Sequence, residues 1–550
     1  MEVSVVRCNS QVKIVRTELA IRDELSFCKS KKVLLFKNNN RICFDLKRSS
    51  LMRGTGTQVV MKAIQFESSL SSALPAGETS TTTTRRSAEK AESVRLFVGL
   101  PLDCISYCNT LSHTKAITAG LKALKLLGVE GVEFPVWWGI VEREKMGKYD
   151  WSSYLALAEL IRDVGLKIRI SLCFHGNKES GIQLPQWVSQ TGESQPDIYF
   201  TDRSGRRYKE CLSLAVDDLP VLEGKTAMQV YQEFMESFKS SFSASIGTTI
   251  TDIKMGLGPD GELRYPSQQH SQSSQILEGV GEFQCYDKHM LDHLKQHAQA
   301  SGNPNWGLSG PHDAPSYDQS LNSNTFFKEN GGSWETQYGD FFLSWYSNQL
   351  IKHGDCLLSL AFSTFCDSPM NLLAKIPLLH SWYKTRSHPS EMTAGFYNVD
   401  GRDSYEAIAE LFARNSFNVV LPGMDLSDEQ QSHESFSSPE LLLSQIKKSC
   451  IKHGVQVSGE NSTVSGVLGG FDQIKKNLLG ENLVIDSFTY QRMGAYFFSP
   501  EHFSGFTKFV RNLVQAELHS DDLPTTQNKE ATVLLSTVSR TEKNLQMQVA

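Results

Sequence analysis

The sequence predicts an α/β protein built as a single (β/α)8 barrel, the TIM-barrel architecture, with long βα-loop insertions. Three observations predict it. Short apolar runs rich in β-branched residues recur eight times, amphipathic helical patterns separate them, and polar residues gather where the runs end. Repeated βα units of this kind build a parallel sheet. Eight of them between residues 93 and 519 suit a closed barrel better than an open doubly wound sheet, which has about five to seven strands.

In chain order, VRLFVGLPL begins the first strand at Val94 and is followed by the helical AITAGLKALKLLG. VEGVEFPVW from Val129 is the second strand, with YLALAELIRDVG as its helix, and KIRISLCFH ends the third at His175. ITDIKMGLG runs into Gly258 as the fourth, and LLAKIPLLH ends the fifth at His380. FNVVLPGM follows the helix EAIAELFARN, VQVSGEN follows LLLSQIKKSCIKHG, and LVIDSFTYQR closes the set. The longest intervals come after the third and fourth strands, so the insertions are expected there. Chemistry in such barrels sits at the C-terminal ends of the strands, which selects His175, Glu262, His380, Glu460 and Arg492.

The flanks differ from this core. Residues 1–90 hold sixteen Lys+Arg and eight Asp+Glu, a balance of +8, which leaves −14 for the rest of a chain whose net charge is −6. The leader has no secretory apolar region and ends in a Ser/Thr-rich stretch, so residues 1–92 read as an organellar transit peptide and linker. A disordered cytosolic or nuclear arm is the alternative. Residues 520–550 lack periodic apolar positions and read as a loose tail. Net acidity argues against a nucleic-acid binder, and no apolar stretch approaches the roughly 18 to 20 residues of a membrane-spanning helix. The eleven cysteines form no CxxC pair, so neither a zinc site nor a redox dithiol is signalled, and no metal or cofactor is implied.

GLGPDGELRYPS at residues 256–267 is the most informative string. A strand running into closely spaced Gly and Pro makes a constrained turn that presents one carboxylate, Glu262. A second, Glu460, lies in VSGEN at the end of the seventh strand. Paired carboxylates across a barrel mouth suit glycosidic cleavage, one protonating the leaving oxygen while the other activates water or attacks the anomeric carbon. Their separation is not readable from sequence, so inversion and retention both stay open. Trp137, Trp138, Trp187, Trp382, Tyr383 and Tyr397 offer flat faces for sugar rings, or else pack the core.

Over residues 96–512 the chain resembles the plant beta-amylases, inverting enzymes that release maltose from α-1,4-glucan ends. The resemblance rests on GVEFPVWWGIVE, GLGPDGELRYPS, GEFQCYDK, FFLSWYSN, HSWYK with TAGFYN, SGEN and FTYQRM. It implies Glu262 as general acid and Glu460 as general base, facing each other about 6.5 to 9.5 Å apart as inversion requires. It also implies that His175, Lys375, His380, Asn461 and Arg492 bind an α-1,4-glucan or maltooligosaccharide or surround the acid.

The departures from the family matter equally. Its VDVWWG has an Asp beside the reacting bond, where this chain has Pro135. Its mobile glycine-rich lid after FH is replaced by GNKESGIQLPQW, shorter and without the lid's Asp, and LPGMDLSDEQ lacks the Thr of a second flexible loop. Losing three polar contacts at about 1 to 3 kcal/mol each removes roughly a hundredfold to a millionfold in turnover efficiency. Within the family the chain looks most like a chloroplastic inactive group. The leading expectation is a plastid-stroma regulator, scaffold or weak glucan binder with a protein partner among starch-metabolising enzymes. The competing expectations are an active maltose-releasing hydrolase and a barrel enzyme acting on another sugar.

Overall fold

The computed structural model describes residues 33–37, 40–44, 94–268, 279–462, 470–479 and 485–514. Eight parallel strands form a closed barrel: β1 Arg95–Gly99, β2 Gly131–Trp137, β3 Lys167–Cys173, β4 Ile250–Met255, β5 Asn371–Lys375, β6 Asn418–Leu421, β7 Val457–Glu460 and β8 Ser487–Tyr490. Each pairs with the next in sequence, and Phe488 of β8 against Leu96 of β1 closes the ring. The helices between them are α1 Thr114–Leu127, α2 Ser152–Val164, α3 Ala227–Ser241, α4 Gln337–Phe365, α5 Ser404–Arg414, α6 Pro439–His453, α7 Gly470–Leu478 and α8 Pro500–Val514.

Local chemistry sets these boundaries. Thr226 and Gln229 exchange hydrogen bonds as a capping box that starts α3, and Ser438 with Pro439 starts α6. Gly165 ends α2 at φ 82°, and its N–H returns to the last turn, a conformation that costs glycine little. Outward strand residues such as Phe134, Ile170, Ile253 and Val419 are wholly buried. A cluster of Trp151, Phe234, Phe238 and Phe242 packs α2 against α3.

The inside of the barrel is polar. Alternate strand residues point inward, and the lower part of the barrel holds Arg95, Arg169, Asp252, Asn371, Ser487 and Thr489. Asp252 accepts from Arg95 at 3.1 and 3.2 Å, Asn371 at 3.2 Å and Arg169 at 3.4 Å. Arg169 also donates to Ser487 Oγ at 2.8 Å and Thr489 Oγ1 at 2.9 Å, with its guanidinium 4.3 Å from the Phe97 ring centroid. Burial opposes the charge on Asp252, but Arg169 and Arg95 overcome it and hold the carboxyl below its ordinary value.

The long insertions fall after β3 and β4, as the sequence predicts. The first carries a helix, Gln186–Ser194, and an antiparallel ribbon of Tyr199–Thr201 with Arg207–Leu212; the second carries a helix, Lys288–Ala300. The strands end earlier than expected. Pro377, which has no N–H for the ladder, follows the end of β5, so His380 lies in the connecting loop. His175 and Arg492 sit two residues past β3 and β8, and Glu262 lies beyond β4 in a turn; only Glu460 is the last residue of its strand.

Within residues 1–92 two strands, Val33–Lys37 and Asn40–Phe44, pair antiparallel, where the sequence reading expects no element. VLLFK and NRICF flank Asn38 and Asn39, a two-residue hairpin signal. The rest of that leader up to residue 93, and the tail 520–550, lie outside the described residues. No helix among those described is long and apolar enough to cross a membrane.

Candidate active site

The turn after β4 places Glu262. Leu257 N–H donates to Gly261 O, Asp260 and Gly261 take positive φ, and Glu262 pairs as an isolated parallel bridge with Lys375 at the end of β5. The turn is held from behind by α4. His353, buried, hydrogen-bonds Asp217 Oδ2 through Nδ1 at 2.7 Å and donates from Nε2 to Leu257 O at 2.8 Å. Burial lowers the imidazole's pKa, yet the Asp217 charge and these hydrogen bonds leave it raised above the usual value. The stability this contributes is therefore full below the ordinary histidine range and is lost as pH rises through the raised value. Replacing His353 by Gln should cost about 1 to 3 kcal/mol at acidic pH and less at alkaline pH. Urea unfolding of both proteins across that range measures it, and a pH-independent difference would contradict the assignment.

Glu262 and Glu460 meet on one ammonium. Lys375 Nζ lies 3.2 Å from Glu262 Oε1 and 3.4 Å from Glu460 Oε2, so these oxygens are no more than 6.6 Å apart, the sum of the two distances. Glu262 Oε2 accepts from Arg264 Nε at 2.9 Å, and Arg264 also pairs with Asp260. Burial works against Lys375, but Glu262 and Glu460 raise its pKa above the ordinary lysine value.

Glu460, 1% exposed, carries a second cation. Lys254 of β4 reaches inward and places Nζ 2.5 Å from Glu460 Oε1 and 2.5 Å from Glu133 Oε1. Gln491 Nε2 lies 3.2 Å from Glu133 Oε1 and 3.4 Å from Glu460 Oε1. Burial pushes the Glu460 carboxyl up, but Lys254 and Lys375 outweigh it and hold it down at about 2.

The remaining candidates divide. His175 is buried, donates Nδ1–H to the Gly176 carbonyl at 2.8 Å, and meets the Trp137 ring edge-on at 5.4 Å; burial lowers its pKa, with Asp260 opposing. Arg492 donates to Leu100 O at 3.2 Å, and burial lowers its pKa against the pull of Glu133 and Glu460. Asn461 is occupied by the main chain: its amide donates to Gln491 O at 2.8 Å and accepts from Gln491 N at 2.6 Å, which positions the segment leading to Arg492. His380 hydrogen-bonds Ser437 Oγ at 2.7 Å, across to the loop before α6.

The aromatic residues pack the molecule. Trp137, Trp138, Trp187, Trp382 and Tyr397 are buried, with Trp138 bonded to Glu142 and Tyr397 to Asp340, while half-buried Tyr383 donates to Gln445. Other side chains pack against them, such as Tyr231 at a right angle to Trp138 and Phe436 stacked near Trp382. Glu133, Lys254, Arg264 and Gln491 are the site residues that sequence reasoning passed over. The available signal was charge at two-residue spacing in otherwise apolar strands, as in Asp252 and Lys254.

Both loops at the mouth are tied down. After His175 the chain closes into a bridge between Asn177 and Ile182, Gly176 N–H donates to Glu210 O, and Lys178 pairs with Glu210. Gln183 O lies so close to Gly139 that a Cβ there would stand 1.8 Å from it. In the loop after β6, Met424 N–H donates to Glu460 O, and Asp425 accepts from both the N–H and hydroxyl of Ser462. Among the described residues no group of three or more His, Cys, Asp or Glu is placed to hold a metal ion.

Fold and site together define a glycosidase-type barrel: two carboxylates at the C-terminal mouth of a (β/α)8 ring. The chain belongs to glycosyl hydrolase family 14, whose model matches residues 97–518. It is 57% identical to "Inactive beta-amylase 9" of Arabidopsis thaliana across 98% of both chains. It is 40% identical to "Beta-amylase 1, chloroplastic" of the same plant, over 77% of this chain and 76% of that one. Among solved structures, the catalytic domain of beta-amylase from Paenibacillus polymyxa superposes with a TM-score of 0.64 at 26% identity, covering 78% of this chain and all of that one.

Proposed function

We propose that this is a beta-amylase-like protein of starch metabolism that does not hydrolyse glucan to a significant extent and serves as a regulator, scaffold or weak glucan binder. On this reading Glu262 and Glu460 are an acid and a base retained in place, and His175, Lys375, His380 and Arg492 line what remains of the glucan site. The observation that carries it is the tied-down mouth. Pro135 offers no carboxylate, and residues 176–185 are bridged to themselves and seated against Gly139, so neither the sugar contact nor a closing lid is present to orient a chain end. The high identity to a relative named inactive supports the same reading.

Relatives named chloroplastic support a plastid location, with residues 1–92 as the transit peptide and linker, 93–519 as the barrel and 520–550 as a tail. A protein partner among starch-metabolising enzymes is part of the proposal.

The active inverting hydrolase is the second reading. It is favoured by the two carboxylates converging on Lys375. A reducing-end assay on soluble starch separates the two. The purified chain should release no maltose above background, and substantial release that Glu262→Gln abolishes would establish the active enzyme.

A further inference from the structure

We infer that Lys254 is a positioning residue that takes Glu460 out of service as a proton acceptor, by fixing its Oε1 in a buried ion pair shared with Glu133. The inference rests on the reading of Glu460 as the retained base. A general base must keep a lone pair for the attacking water and gain stability when it takes the proton. Here Oε1 is occupied twice, by Lys254 at 2.5 Å and Gln491 at 3.4 Å, and Oε2 faces Lys375 at 3.4 Å. The charges around the carboxylate come from several strands of the barrel: Lys254 from β4, Lys375 from β5, Arg169 from β3 and Arg492 after β8 on the cationic side, Glu133 from β2 and Glu262 after β4 on the acidic side. Protonating Glu460 would leave two nearly buried ammoniums to share the remaining acids, which makes the proton unwelcome there.

Glu133 holds the lysine in this place. It sits two residues before Pro135 on the same inward face of β2, one pleat deeper in the barrel, where Ser171 Oγ donates to its Oε1 at 2.9 Å. A carboxylate at 133 draws Lys254 across Glu460. Lys254 and Glu133 thus form a pair inside the barrel, and the retained glutamate is caught in it.

The test uses the full chain labelled at the glutamate carboxyl carbons with 13C, followed by NMR from about pH 4 to 7, with Glu460→Gln identifying the signal. Lys254→Met alone would leave two buried carboxylates facing each other, so the charge-balanced exchange Glu133→Leu with Lys254→Met carries the measurement. The native signal should stay at its ionised position throughout. In the paired variant the midpoint should rise into the scanned range, about two units or more above the native value and a hundredfold or greater gain in proton affinity, and Lys254→Arg should keep the native behaviour. A paired variant that folds and still shows no titration would overturn the inference, because Lys375 alone would then hold the charge. Maltose release by the native chain would overturn the functional reading and this inference together, whereas a silent titration in the paired variant overturns the inference alone.

Discussion

Maltose release from soluble starch is expected to appear when three lost features are returned to this chain together: Asp at 135, the glycine-rich lid after β3, and a Thr in the loop after β6. Each returns a polar contact of about 1 to 3 kcal/mol to the bound glucan, so together they should raise turnover efficiency by about a hundredfold or more over the native background. The gain should be larger still when Glu133→Leu and Lys254→Met accompany them, since Glu460 Oε1, otherwise held by an ammonium at 2.5 Å, is then free to take the proton of the attacking water. Adding Glu262→Gln should return the rate to background. A folded variant carrying every restoration, with unchanged melting temperature and no maltose, would show that inactivity arises from something other than the clamp and the base.

Asp252→Asn should be the most damaging single substitution in the barrel, at about 3 to 5 kcal/mol. The amide fits the same space but removes the charge that faces two guanidiniums. Arg169 is 0% exposed and would lose the carboxylate it pairs with, at 3.4 Å. Arg95 has Asp486 at 2.6 Å as a second partner and would suffer less. Because Asp252 is held below the ordinary carboxyl range, its contribution is present above that range and is lost as pH falls through the lowered value. The deficit of the variant, read by urea unfolding, should therefore be full at neutral pH and shrink in acid. A variant as stable as the native chain at pH 7 would mean that the hydroxyls of Ser487 and Thr489 suffice to carry Arg169.

The ring of strands was legible because apolar runs and helical periods alternate through the core, and those patterns follow from which faces are buried. Strand ends were less legible. LLAKIPLLH reads as one apolar run, yet Pro377 has no N–H to carry the ladder past Ile376, whose N–H donates to Val420 O, and His380 therefore lies away from the position its place in the run implied. Glu262 and Glu460 were legible through their Gly-rich settings. Lys254 and Glu133 were not, because a charge in a strand reads as solvent-facing unless the closure of the barrel is known. Asn461 looked like a ligand for sugar, and only three-dimensional contacts reveal that the main chain of Gln491 already uses its amide.

The polar inner ring also bears on how the chain folds. β1 is made first and must wait for β8 to complete the circle: Arg95 bonds Asp486 across 391 residues of sequence, and Phe488 lies beside Leu96. Contacts so distant in sequence carry a high loop-closure cost and slow the search. During synthesis β1 through β7 emerge with two unpaired strand edges and with Arg169 lacking Ser487 and Thr489, the kind of open sheet that adds neighbouring chains. A chain that stops short of β8 should therefore accumulate as aggregate rather than as a smaller soluble barrel.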